Sequence, residues 1–197
     1  MKRRTLLQSV AALLALQPLA RLRLFAQSPG PAGLSDANVA ALKAMAEVVL
    51  PASLGSAGRN KAVTGFVAWV RNYKEGADRG HGYGSSTLSA PTGPPPARSY
   101  PAQFAALDKA AEAQGGTSFA TLPAAKRQIV IEAALNQPPA VTRLPARPTG
   151  ANLVADFMGS FFNSADGFDL AYNAAIGRDS CRSLDGSDRA PSPLGRS

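Results

Sequence analysis

The chain has 197 residues with a formal net charge of +8, and it contains one histidine and one cysteine. These counts exclude an internal disulfide and a metal site made of several histidines of this chain. Five positive charges lie in the first 26 residues, namely Lys2, Arg3, Arg4, Arg21 and Arg23. The remainder of the chain therefore has a net charge of only +3. It lacks the clustered basic stripe that is typical of a nucleic-acid-binding protein.

The first 26 residues have the features of an export signal. Arg3 and Arg4 precede a short apolar run, and Leu6 and Leu7 fit the usual twin-arginine pattern. The run is shorter than the roughly 20 apolar residues that span a bilayer. We therefore predict a leader that engages the twin-arginine translocase, is cleaved after Ala26 and delivers the protein to the periplasm. The alternative is an amphipathic first helix whose arginines face water.

After a linker at 27–33, two segments carry apolar residues at helical spacing. In the first, LSDANVAALKAMAEVVLP, Ser35 is the expected N-cap and Pro51 the expected stop. The second is NKAVTGFVAWVRNYKE. Its apolar face is predicted to consist of Val63, Phe66, Val67, Val70 and Tyr73.

The next segment, from Asp78 to Tyr100, is too rich in Gly and Pro for a regular element. Long loops in compact domains are often functional, so we predict a strap that lies on a partner protein. Tyr83, Leu88 and Tyr100 are its expected partner contacts, because aromatic and apolar side chains supply most contact energy. His81 lies in the same segment without a companion nucleophile motif, which favours a loop or interface histidine over a catalytic one.

Helical spacing resumes in two further segments. PAQFAALDKAAEAQGG is predicted to bury Phe104, Leu107 and Ala111 and to end at its two glycines. LPAAKRQIVIEAAL is predicted to bury Ile129, Val130 and Ala133.

The most apolar segment, PTGANLVADFMGSFFNS, is the expected central helix. A short helix in ADGFDLAYNAAIG and a polar tail at 181–197 follow. Strand-like alternation is scarce. The predicted fold is all-α: a single irregular helical bundle at 34–180 with long Gly/Pro-rich loops.

We predict no catalytic, cofactor-binding or metal-binding residue in this chain. The loop glycines lack the G-x-G-x-x-G spacing of a nucleotide site. Asp166 and Asp169 stand one helical turn apart, but acids are common at helix starts because the helix dipole favours them. Cys181 is either buried and inert or paired with another chain.

Several stretches of the sequence, in order, resemble the gluconate 2-dehydrogenase subunit 3 family, the small subunits of periplasmic flavin-dependent sugar and sugar-acid dehydrogenases. They are the twin-arginine leader, LSDANVAALKAMAEVVLPAS, GFVAWVRNYK, FAALDKAAEAQGGTSFATLPAAKRQIVIEAAL and ADFMGSFFNSADGFDLAYNAAIG. The stretch after the Phe-Phe helix, GFDLAYNAAIGRDSCRSLDG, departs from the family pattern.

The resemblance implies a noncatalytic small subunit. Such a subunit binds a larger flavoprotein of the glucose-methanol-choline type, helps it mature and carries it through the twin-arginine pathway. FAD is then expected in the partner and haem c in a cytochrome c subunit that commonly completes such complexes, with membrane association through the partner subunits. Two other hypotheses remain: a free-standing periplasmic helical binding protein, and an enzyme that uses His81 with nearby carboxylates.

Overall fold

The computed structural model describes residues 34–73, 95–176, 186 and 188–194. In this part of the chain there are six α-helices and no β-strand, as the all-α prediction requires. The predicted leader and linker, including Arg3, Arg4, Leu6 and Leu7, lie outside the described residues. The helices are α1 (Asp36–Val49), α2 (Gly55–Asn72), α3 (Tyr100–Ala113), α4 (Ala124–Asn136), α5 (Leu153–Phe162) and α6 (Ala165–Tyr172).

Local sequence sets the ends of α1 and the face of α2. The backbone N–H of Asn38 donates to Ser35 Oγ at 3.2 Å, which confirms the predicted N-cap, and α1 ends just before Pro51. A 3-10 turn at Ala52–Leu54 leads directly into α2, which therefore begins before Asn60, the predicted start. Four of the five residues of the predicted face are buried, namely Val63, Phe66, Val67 and Val70, whereas Tyr73 is the half-buried C-cap of α2.

The core is built around aromatic rings from α2, α3 and α5. The ring of Phe66 lies 5.8 Å from Tyr100 and 5.5 Å from Phe157, the latter edge-to-face at 78°. Such geometry adds to the stabilisation from buried apolar area. Most of α5 is buried, which confirms it as the central helix. Gly159 allows this depth, because a Cβ at that position would meet the carbonyl of Pro145.

The predicted buried face of α4 is wrong for two of its three residues. Val130 is buried as predicted, but Ile129 is 52% exposed, Ala133 is exposed, and Ile131 is buried instead. The segment Gln128–Ala133 contains three consecutive apolar residues, so the sequence permits more than one inward face. The structure selects the face because α4 packs against α1, α3 and α5 at once.

The C-terminal end of the predicted strap belongs to the core. A 3-10 turn at Pro96–Ser99 precedes α3, Ala97 is buried, and Tyr100 has no exposed surface. The prediction that Tyr100 contacts a partner is therefore wrong, because its side chain is enclosed by the protein's own helices. The other two predicted contacts, Tyr83 and Leu88, lie outside the described residues, as does His81.

Part of the predicted tail is hydrogen bonded to the helical domain. After α6 the chain turns at Asn173, which has a left-handed backbone with φ of 50°. The N–H of Ala175 donates to the carbonyl of Ser192 at 2.8 Å, and Ala174 and Pro193 form an antiparallel bridge. Residues near 193 are thus joined to the end of α6. Cys181 lies outside the described residues.

Candidate functional site

Asp156 is the one buried charged side chain among the described residues, with 1% of its surface exposed. Its Oδ1 accepts hydrogen bonds from the N–H of Thr149 at 2.9 Å and from Thr149 Oγ1 at 3.2 Å. Its Oδ2 accepts from the N–H of Gly150 at 2.6 Å and from the Tyr100 hydroxyl at 2.9 Å. Four donors thus compensate for the loss of water around the carboxylate.

Gly150 allows the backbone to approach this carboxylate. Its φ is +81°, and a Cβ there would collide with the backbone of Pro96. Its carbonyl accepts from Gln103 Nε2 at 2.8 Å and from Ser99 Oγ at 2.5 Å. The loop before α5 is therefore fixed on one side by Asp156 and on the other by α3 and the turn before it.

Tyr100 acts as a permanent donor in this network. Burial, the charge of Asp156 and their hydrogen bond all raise the pKa of the Tyr100 phenol far above its ordinary value, burial having the largest effect. Because the hydroxyl stays protonated and the carboxylate oxygens are already occupied, the pair is suited to joining α3 to α5. The Tyr100–Asp156 hydrogen bond therefore stabilises the packing of α3 against α5.

A mostly apolar cavity of about 280 Å³, open to solvent on one side, lies between α3, α4, the start of α5 and the connection at 137–141. Among the described residues, no charged side chain lines it. Its lining consists of Gln103, Ala106, Leu107, Ala110, Val130, Ala133, Ala134, Gln137, Pro138, Pro139, Val141, Ala151, Asn152, Leu153 and Val154.

Two hydrogen bonds satisfy backbone carbonyl groups in the last turn of α4, at the edge of this cavity. Pro138 and Pro139 have no N–H, so they cannot bond to the last carbonyls of the helix. Asn152 Nδ2 donates to the carbonyl of Ala134 at 2.9 Å, and the N–H of Val141 donates to the carbonyl of Leu135 at 2.9 Å. The end of α4 is thereby tied to the connection and to α5.

A second cavity, of about 260 Å³, lies between α2 and the α5–α6 corner. Its rim carries an ion pair in which Lys61 Nζ lies 2.8 and 2.7 Å from the two carboxylate oxygens of Asp166. Asp166 is in the first turn of α6, as predicted, and Asp169 follows one turn later. Both side chains of the pair are substantially exposed, so its contribution to stability is small.

The described residues contain no group of three or more His, Cys, Asp or Glu side chains that could hold a metal ion. Within the same residues, no single helix is both long and apolar enough to cross a membrane. The segments Asp36–Val49 and Ala52–Asn72 pass that test only together, and they are bent by 119°.

Sequence reasoning missed both the Asp156 network and the apolar cavity. The sequence contains one signal for the Asp156 network. An acid in the middle of the apolar segment LVADFMGSFF is rare unless hydrogen-bond donors surround it. Alanines in α3 and α4 gave a weaker signal for the second, because small residues favour either close helix contact or open space.

Comparison with models of known families, with curated proteins and with solved structures finds no match. The likeness to the gluconate 2-dehydrogenase subunit 3 family therefore stays a prediction from the sequence.

Proposed function

We propose that this protein is a noncatalytic small subunit that binds, helps mature and co-exports a flavin-dependent sugar or sugar-acid dehydrogenase of the glucose-methanol-choline type. The observation that carries the proposal is the twin-arginine leader ahead of a domain with the family-like stretches. Those stretches correspond to α1, the second half of α2, the α3–α4 pair and the α5–α6 pair.

The hydrogen bonding of the buried polar groups supports a structural role. Asp156 and Tyr100 bond to each other and to the loop before α5. Gln103 and Asn152 likewise bond to backbone groups of neighbouring elements. These side chains are engaged in holding the helices together, which is what a rigid binding subunit requires.

In this proposal the chemistry belongs to the partners. FAD is bound by the large flavoprotein, and haem c by a cytochrome c subunit when one completes the complex. The small subunit supplies the export address and a docking surface, for which Tyr83 and Leu88 remain the proposed contacts.

Purification of the tagged protein from the periplasm of its native cell tests the proposal. A larger chain containing flavin should copurify, and the preparation should reduce an electron-accepting dye when gluconate or glucose is added. The small subunit produced alone should be colourless and inactive. Recovery of the tagged protein as a single chain would instead favour the free-standing binding protein, and flavin bound to the isolated chain would refute the noncatalytic role.

A pair of variants tests the proposed contacts. Tyr83→Ser with Leu88→Ser should reduce recovery of the flavoprotein, because it removes apolar contact area. Ser85→Ala with Ser86→Ala alters the same segment without removing apolar side chains and should leave recovery unchanged. Equal recovery with both pairs would contradict the assignment of these contacts.

A further inference from the structure

We propose that the cavity between α3 and α4 is a binding site for a small, uncharged, largely apolar molecule with one hydrogen-bonding group. This inference goes beyond the role proposed above and does not depend on it.

The cavity exists because small side chains occupy its facing walls. Ala106 and Ala110 on α3 face Ala133 and Ala134 on α4, and Ala151 lies at the third side. Ala106, Ala133 and Ala151 are also exposed to solvent, so the cavity is open to the surface on one side. The volume of about 280 Å³ is close to the lower end of the range of small-molecule pockets, roughly 300–1,000 Å³. A ring compound of modest size therefore fits.

Hydrogen bonds between the walls keep the cavity open. Gln103 on α3 reaches the start of α5, where its Nε2 donates to the carbonyl of Gly150 and its Oε1 accepts from the N–H of Leu153 at 2.5 Å. Asn152 ties α5 to α4. Collapse of the walls would break these bonds. A site formed in advance spares its ligand the cost of ordering the protein.

The lining determines the chemistry of the ligand. Its described side chains are apolar apart from three amides, and a charged ligand would lose part of its hydration without gaining an opposite charge from them. Two of the amides, Gln103 and Asn152, already form hydrogen bonds to the walls of the cavity. The side chain of Gln137, at the C-terminal end of α4, makes no hydrogen bond to any described residue. It can therefore offer one donor or acceptor to the ligand.

Titration of the full-length protein with N-phenyl-1-naphthylamine tests the site. This fluorescent probe is uncharged at neutral pH, apolar and has one N–H group. We expect saturable binding of one probe per chain. The anionic relative 8-anilinonaphthalene-1-sulfonate should bind at least about tenfold more weakly, because no described residue of the lining carries a compensating charge. Absence of saturable binding, or equal affinity for the two probes, would overturn the proposal.

Matched alanine variants locate the binding. Ala106→Phe fills the cavity and should weaken binding of the uncharged probe at least about tenfold. Ala105→Phe makes the same change at the neighbouring exposed position outside the cavity lining and should leave binding unchanged. Equal affinities in the two variants would overturn the assignment. If a thermal melt shows that Ala106→Phe does not fold, Ala133→Leu and its control Ala125→Leu make the same comparison on α4.

The amide contact has its own test. Gln137→Leu should weaken binding of the uncharged probe about fivefold, the equivalent of one neutral hydrogen bond. Gln114→Leu, the same change at a position outside the cavity lining, should have no effect. An unchanged affinity in Gln137→Leu would refute the polar part of the ligand assignment.

Discussion

Asp156 lies in the middle of the most apolar helix. Four hydrogen-bond donors offset the cost of burying its side chain there. Asp156→Asn replaces one acceptor oxygen with an NH₂ group that faces those donors. We expect a loss of about 3 kcal/mol in the free energy of unfolding, measured by urea denaturation. Asp166→Asn, which changes a partly exposed carboxylate, should cost less than about 1 kcal/mol. Similar losses in both variants would contradict the role given to Asp156.

Tyr100 should make stability depend on alkaline pH. Its pKa is raised in the folded state, so below its ordinary value of about 10 both states are protonated and its contribution is complete. Above that pH the unfolded chain loses the proton first, and stability falls by up to about 1.4 kcal/mol per pH unit. Tyr100→Phe should therefore be less stable than the wild type at pH 8 by about 1–2 kcal/mol.

That difference should shrink above pH 10, because the phenylalanine variant has no phenol to ionise. Urea denaturation at several pH values measures it, with Tyr172→Phe as the control that removes an exposed hydroxyl. A constant difference between wild type and Tyr100→Phe across this range would show that Tyr100 is not the group responsible.

At the level of the helices, Asn152 performs two tasks. Its side-chain oxygen accepts from the N–H of Ala155 and so caps α5, while its Nδ2 donates to the carbonyl of Ala134 at the end of α4. Asn152→Ala should cost about 2 kcal/mol in the free energy of unfolding, since a cap and a second hydrogen bond are lost together. Ser35→Ala removes a cap alone and should cost about 1 kcal/mol. Equal losses would mean that the bond to α4 contributes nothing.

The helices themselves could be predicted because caps, stops and apolar spacing are local properties, as Ser35 and Pro51 illustrate. The inward face of α4 could not, since Ile129 and Ile131 are equally apolar and only the neighbouring helices distinguish them. The sequence predicts a loop that ends at Tyr100, because the residues before it are rich in Gly and Pro. Its hydroxyl donates to Asp156, which lies 56 positions further along the chain, so its buried position is not visible in the local sequence. The cavity depends in the same way on contacts between distant segments.

For the molecule as a whole, the proposed function requires that the predicted export leader precede a helical domain with a hydrogen-bonded core. In the proposed function, one leader serves two proteins, because the small subunit and the flavoprotein cross the membrane together. The flavoprotein should therefore reach the periplasm only when the leader of this chain works.

Fractionation of cells that carry Arg3→Lys and Arg4→Lys tests this claim most directly. We expect both the small subunit and the flavoprotein to remain in the cytoplasm, because the translocase reads the paired arginines. The control, Arg21→Lys with Arg23→Lys, makes the same change elsewhere in the leader and should leave both proteins in the periplasm. Delivery of active flavoprotein to the periplasm by the Arg3 and Arg4 double variant would contradict the account.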